Sequence, residues 1–347
     1  MFIFKNAQYI QLSRKEVYMQ KKIDRRLFMK KIGQYSLAGA ALPVLSGNML
    51  RPHRSFSSGR STKPAQFSFI HFTDTHIQPE LHAQEGVRKC LKKMATIEAD
   101  FAIHGGDIVF DVFATGRKRA DLLYKIYLDE LKNWQRPVYH VIGNHDVFGV
   151  QPSSGVRLSD PEYGKALFKD YMEQPRTYAS FDHKGWHFIL LDSIDITSDR
   201  SYRGLIDYEQ MEWLQEDLKK AGPQTPIVIV THIPLLTLLW QIVDKDRTPI
   251  PPGISIVNAK KVWELIQPYN VKAVLQGHLH INERMEYLDT QYITTGAVCG
   301  NWWKGPRMGH PEGFAVLDVD GDSISWRYET YGWHAVPPKE QKANHGH

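Results

Sequence analysis

Five short apolar runs in this chain each end in a cluster of oxygen and nitrogen donors. Phe67 to Phe72 leads into Thr73-Asp74-Thr75-His76, and Phe101 to Ile103 into Gly105-Gly106-Asp107. Pro137 to Ile142 leads into Gly143-Asn144-His145-Asp146, Pro226 to Val230 into Thr231-His232, and Val271 to Leu275 into Gly277-His278-Leu279-His280. Asp74, His76, Asp107, Asn144, His232, His278 and His280 carry the side chains that bind transition metals. Carboxylate and imidazole together suit Zn, Fe and Mn better than Ca or Mg. Asp-x-His sets two donors around one tight turn, and His-x-His puts two imidazoles on one side of an extended backbone. Each pair alone is a weak signal. Two aspartates and four histidines at five strand ends, in this order, are a strong one and call for more than one ion.

The elements that must carry these tips follow from periodicity. Strand 67 to 72, helix 85 to 98, strand 101 to 103, helix 117 to 134 and strand 138 to 142 alternate, which argues for parallel strands with helical crossovers. In such sheets, reactive groups collect beyond the carboxyl ends of the strands. Residues 147–177 read as an insertion, with Pro152, Gly155, Pro161 and Pro175 opposing long elements. Residues 178–181 and 186–191 flank the hairpin turn Asp182-His183-Lys184-Gly185. Met211, Leu214 and Leu218 space a helix over 207–220 that stops at Gly222-Pro223. Residues 234–252, apolar but broken by prolines, read as a packed loop more than a lid. A short helix over 258–267 precedes the 271 strand. Residues 287–294, 313–319 and 323–329 read as a closing β-meander. The expected class is α/β, two β-sheets packed face to face with helices outside.

The 347 residues carry a formal charge of +5, but the excess is local. Before Pro64 lie 13 of the 43 basic residues and 2 of the 38 acidic ones, so the remainder holds 30 bases against 36 acids. The body is mildly acidic, and no nucleic-acid polymer is expected as a partner. Lys21 to Lys31 is a basic segment with Arg25-Arg26 and then apolar residues, and Ile32 to Leu45 is a weakly apolar run. This resembles a twin-arginine export signal, with the twin-arginine machinery as partner and a periplasmic or secreted destination. The run is too short for a span of roughly 20 residues, so no stable membrane anchor is expected. The expected domains are an export signal and linker over 1–62, a catalytic domain over 63–335 and a polar tail over 336–347. Met19 stands where such a signal would begin.

From about residue 66 to residue 330 the motifs Asp74-x-His76, Gly106-Asp107, Gly143-Asn144-His145-Asp146, His232 and Gly277-His278-Leu279-His280 resemble the calcineurin-like metallophosphoesterase superfamily. The resemblance implies a four-layer sandwich and a dinuclear centre of Mn, Fe or Zn. Asp74, His76 and His280 would bind one ion, Asn144, His232 and His278 the other, and Asp107 would bridge them. It implies a shared hydroxide as nucleophile and His145 as the acid facing the leaving group. Asp146 would orient His145 or accept from backbone. Phe110 stands where purple acid phosphatases carry a metal-binding tyrosine. Phe110 and Val147 also depart from protein Ser/Thr phosphatases. The nearest likeness is to bacterial cyclic-nucleotide phosphodiesterase-like and related exported phosphodiesterases with compact Gly-Asn-His-Asp and Gly-His-x-His motifs.

The expected activity is hydrolysis of a small phosphate ester, diester before monoester. The alternatives are a phosphomonoesterase or nucleotidase of the same fold and a non-catalytic metal- or phosphate-binding protein. His71, His104 and His140 lie within strands and read as supports of the core or of the ligands. Cys90 and Cys299 are not expected ligands and are either two buried thiols or one disulfide. Asn301-Trp302-Trp303-Lys304-Gly305 is either an aromatic wall with a cation for substrate or core packing.

Overall fold

The computed structural model describes residues 65–336 apart from 247. The export segment, the linker and, beyond Val336, the tail read from sequence lie outside the described residues. Thirteen strands and six α-helices are described. They run β1 (Gln66–Phe72), α1 (Ala83–Ala95), β2 (Phe101–His104), α2 (Arg117–Leu131), β3 (Val138–His140), α3 (Ala166–Tyr171), β4 (Ala179–His183), β5 (Trp186–Leu191), β6 (Ile194–Ile196) and β7 (Tyr202–Gly204). There follow α4 (Tyr208–Ala221), β8 (Ile227–Thr231), α5 (Leu239–Val243), α6 (Ala259–Ile266), β9 (Val271–Gln276), β10 (Glu283–Tyr287), β11 (Thr290–Thr294), β12 (Gly313–Asp320) and β13 (Ser323–Thr330).

One sheet has the order β13-β12-β1-β2-β3 and the other β10-β11-β9-β8-β5-β4; β6 and β7 form a separate ribbon. Strand alternation makes two cores from these sheets. Phe67, Phe69, Phe101, Ile103, Trp186, Phe188, Val228, Val230, Leu275 and Leu317 point between the sheets. Ile70, Phe72, Ala102, Ile189, Ile229 and Val274 point outward, where Val87, Cys90, Met94, Leu123, Tyr127, Leu214 and Leu218 of the helices cover them. This is the two-sheet α/β architecture expected. Within it β1, β2 and β3 run parallel, as do β5, β8 and β9, so the carboxyl ends within each parallel set share one rim.

Local signals explain most boundaries. Asp207 caps α4 by accepting from the amide of Gln210 at 2.8 Å. The β4–β5 hairpin turns at Lys184-Gly185, both left-handed with φ of 45° and 86°. Two expectations need correction. Residues 287–294 are not one strand but the end of β10, a turn at Leu288 and Asp289 with φ of 47° and 60°, and β11. Asp289 is a residue that tolerates such a conformation, but Leu288 beside it is not, so the turn is only half signalled in sequence. Nor do the last strands form a meander: β11 pairs parallel with β9, whereas β12 pairs with β1 in the opposite sheet. Residues 295–312 carry the chain across.

The 234–252 segment is packed at its start, where the buried Gln276 accepts from the amides of Leu235 and Leu236 at 2.8 and 3.2 Å. Beyond that point Leu238, Ile242, Val243 and Ile250 are exposed. Cys90 and Cys299 are both buried and unpaired.

Candidate metal centre

Asp74 and His76 follow β1, Asp107 follows β2, Asn144 to Asp146 form a 3₁₀ turn after β3, His232 follows β8, and His278 and His280 follow β9. The backbone pays a conformational cost to aim them. Asp74, His76, Asp107, His278 and His280 all have left-handed φ, of 54°, 38°, 54°, 69° and 58°. Such conformations are disfavoured outside glycine and persist where surrounding structure enforces them. Here the enforcement is a backbone clasp: the amide of Asp74 donates to the Gly106 carbonyl at 2.9 Å and that of His76 to the Asp107 carbonyl at 3.0 Å. Gly143 is needed for close approach, since a Cβ there would lie 2.1 Å from Asp107 Oδ1.

The seven candidate ligands form one connected cluster. His76 Nε2 lies 3.2 Å from His280 Nε2, and His280 Nε2 lies 3.2 Å from Asp74 Oδ1. His232 Nε2 lies 3.3 Å from Asn144 Oδ1, and the His232 and His278 rings are 5.1 Å apart. Asp107 Oδ2 sits between the two groups, 3.4 Å from His76 Nε2 and 3.2 Å from His232 Nε2. Its Oδ1 accepts from the His145 amide at 2.8 Å.

Three imidazoles are locked by carbonyls, which can only accept. His280 Nδ1 donates to Gly300 at 2.5 Å, His232 Nδ1 to Gly105 at 2.9 Å, and His278 Nε2 to Gly253 at 2.8 Å. Each ring therefore carries a proton on that nitrogen and turns the other toward the cluster, where it could give a lone pair to a metal, the usual support of a metal-binding histidine. Asp74 Oδ1 is buried and makes no aligned hydrogen bond. A buried carboxylate oxygen of this kind, with the ring nitrogens of His280 and His76 at 3.2 and 3.8 Å, suits a bound cation. The residues present fit two transition-metal ions.

The supports expected from sequence are in place. Burial makes neutral imidazoles of His71, whose pKa falls to about 3, and His140, whose pKa falls to about 4. His71 bonds Thr295 at 2.8 Å, His104 bonds Thr75 at 3.0 Å, and His140 bonds Tyr127 at 2.8 Å. Of the two roles open to Asp146, its hydrogen bonds describe the backbone acceptor. Oδ1 takes the amides of Ile108 and Val109 at 2.9 and 3.2 Å, and Oδ2 that of Gly143 at 2.9 Å. The carboxylate nearest His145 is instead Asp111, 3.6 Å from Nδ1, an ion-pair distance too long for a hydrogen bond. Burial opposes a charge on His145, but Asp107, then Asp111 and Asp146, outweigh it and raise its pKa above the usual imidazole value.

Asp111 belongs to no motif, and sequence reading missed it. Cys299, not expected as a ligand, is a buried thiol whose Sγ lies 3.7 Å from His280 Nδ1, the nitrogen turned away from the cluster.

The fold and this donor set define a metal-dependent phosphoric ester hydrolase. The chain belongs to the calcineurin-like phosphoesterase family, whose model matches residues 67–282. A 3',5'-cyclic adenosine monophosphate phosphodiesterase of Haemophilus influenzae is 25% identical over 253 residues, covering 69% of this chain and 79% of that protein. Its Escherichia coli counterpart is 23% identical, covering 68% and 77%. A serine/threonine-protein phosphatase of Bos taurus is 28% identical over 55% of each chain. Among solved structures, a dimetal phosphatase from Danio rerio superposes with a TM-score of 0.52 at 16% identity, covering 78% of this chain and all of that one.

Proposed function

We propose that this chain is an exported phosphodiesterase of small phosphate esters, with cyclic nucleotides the first class to test. The observation that carries the dinuclear reading is Asp107 Oδ2, set between His76 on one side and His232 on the other. Asp74, His76 and His280 would hold one ion, and Asn144, His232 and His278 the other, with Asp107 shared. Two such ions, when bound, supply a nucleophile at neutral pH and neutralise phosphate oxygens. Metal identity among Mn, Fe and Zn is open to the donor set.

The protein's own part lies in orientation and proton delivery. Asp146 holds the 3₁₀ turn through three backbone amides and so fixes where Asn144 and His145 project. The His145 amide braces the shared carboxylate, while its ring turns to the cavity beside the centre. An imidazole there can protonate an alkoxide leaving group, which a diester substrate needs. The cyclic-nucleotide phosphodiesterases among the relatives support the diester reading. The twin arginines at 25 and 26 support export.

The test is hydrolysis of bis-p-nitrophenyl phosphate, p-nitrophenyl phosphate, cyclic nucleotides and glycerophosphodiesters by protein loaded with Mn²⁺, Zn²⁺ or Fe²⁺. Turnover of diesters ahead of the monoester is expected. Turnover of the monoester alone would replace the reading with a phosphomonoesterase.

A further inference from the structure

The Trp302-Trp303 pair is split by the fold, and the split points to a binding function. Both residues are left-handed, with φ of 49° and 67°, an outlier for large side chains that marks an enforced conformation. Trp303 is fully buried. Its Nε1 donates to the His76 carbonyl at 3.1 Å, and its ring stands edge-on to Trp333 at 5.5 Å. It also presses against Gly86 of α1, where any Cβ would lie 2.1 Å from the indole. Thus anchored, the loop sends Trp302 the other way. The Trp302 ring stays partly exposed, 4.8 Å from the His280 ring and 6.2 Å from that of His76.

Trp302 there lines a cavity of about 460 Å³ with Gln78, Leu81, Phe110, His145 and Lys304, a volume within the roughly 300–1,000 Å³ of small-ligand sites. Phe110 stands 6.3 Å from the His145 ring and nearly parallel to it, at 21°. It occupies the position three residues after Asp107 but, lacking a hydroxyl, can bind no metal; it offers an aromatic face instead. The Arg307 guanidinium lies 5.5 Å from the Trp302 ring centre and helps hold the indole. Gln78, 4% exposed, contributes an amide to the lining, and the exposed Lys304 contributes a cation.

We propose that Trp302 and Phe110 form a subsite for a planar heteroaromatic group, such as a nucleobase, carried by the substituent that departs past His145. Aromatic faces accept such a group by stacking, and the donors of Gln78 and Lys304 meet its ring nitrogens and carbonyls. An aliphatic alcohol or glycerol substituent would leave both aromatic faces unfilled. The inference rests on the phosphoesterase reading for the identity of the departing group, but its test does not require turnover.

Manganese-loaded protein is titrated by calorimetry with adenosine 5'-monophosphate and with ribose 5-phosphate, which differ by the base. The wild type should bind the nucleotide more tightly by roughly five- to 150-fold, the range of one base stacked on an aromatic side chain. Trp302→Ala should collapse that ratio toward one, and Trp302→Phe should restore most of it. In parallel, the ratio of kcat/KM for a cyclic nucleotide to that for a glycerophosphodiester should fall by the same factor in Trp302→Ala, through KM. Equal wild-type affinities for the two phosphates would overturn the subsite even if every diester is hydrolysed. A preserved nucleotide preference with failed diester turnover would keep the subsite and discard the diesterase reading. Equal losses on nucleotide and glycerol esters in Trp302→Ala would assign Trp302 to supporting His280 and would also overturn it.

Discussion

Replacing His145 by alanine separates proton delivery from metal holding. The brace that this residue gives Asp107 runs through its backbone amide, at 2.8 Å to Oδ1, and an alanine keeps it. Among the described residues its Nδ1 has no hydrogen-bond partner and pairs with Asp111 only at 3.6 Å. Metal content should therefore stay near two ions per chain, and stability should change little. A general acid contributes on the order of 10² to 10⁴ in rate. The His145 side chain is 26% exposed, so water can enter the vacated space and deliver a proton less well. That places the expected loss near 10², or about 2.7 kcal/mol of barrier. The loss should appear in kcat for an alkyl or nucleoside diester, whose alkoxide departs poorly without a proton. A nitrophenolate departs unaided, so bis-p-nitrophenyl phosphate should lose less than about tenfold. Metal analysis accompanied by kcat on both ester types is the assay. Equal losses on both esters with both metals retained would refute proton donation and make His145 a phosphate-positioning group.

Other perturbations probe the neighbouring assignments. Asp107→Ala removes the carboxylate shared by both ligand groups and should reduce both metal sites together by inductively coupled plasma analysis; retention of two tightly bound ions would refute sharing. A fusion of residues 19–64 to a reporter active only after folded export should reach the periplasm, and Arg25→Lys with Arg26→Lys should block it; full export of the double variant would refute the signal. Away from the centre, His187 lies between Asp217 at 2.9 Å and Asp182 at 2.6 Å. Burial opposes its charge, but Asp217 and then Asp182 prevail and raise its pKa. A raised folded pKa stabilises the fold below the unfolded value of about 6.5, and the contribution is lost as pH rises through the folded value. Urea midpoints should fall across that window in the wild type and stay flatter there in His187→Gln; identical slopes would refute the coupling.

The donor tips and the class of fold were legible because both rest on local patterns. A strand that ends in Gly143-Asn144-His145-Asp146 must turn, and its polar side chains must go where a sheet leaves room. Parallel strands then bring such tips to one rim without any further code. Contacts made across the chain by backbone were not legible. The carbonyls of Gly253 and Gly300 that lock His278 and His280 carry no side-chain signature. Asp111 reaches His145 because a left-handed residue, φ 55°, redirects the chain. The division of Trp302 from Trp303 depends in the same way on a pair of dihedrals that sequence does not display. Residues 287–294 failed as a strand in part for this reason too, since Leu288 does not announce a turn and Asp289 alone is a weak signal.

Metal removal should destabilise the whole domain, because the centre stores unfavourable structure that ions offset. Five of its residues are held left-handed, each costing on the order of 1 kcal/mol or more. Two buried carboxylates, Asp74 and Asp107, face one another's imidazoles across gaps of 3.2 to 3.8 Å. The tips belong to β1, β2, β3, β8 and β9, which span both sheets, so ions that tie the tips together tie the sheets together. An ion that binds the folded chain at 100 times its Kd adds about 2.7 kcal/mol of stability. For a domain of this size that corresponds to roughly 5 °C in Tm for one such ion. Chelation followed by dialysis should lower Tm by at least that amount, and readdition of Mn²⁺ or Zn²⁺ should restore it. The Asp107→Ala variant should show a smaller response to chelator, since it has less metal to lose. If protein shown by elemental analysis to be metal-free melts at the holo temperature, the strained tips are held by protein contacts alone. The coupling of metal binding to the sandwich would then be wrong.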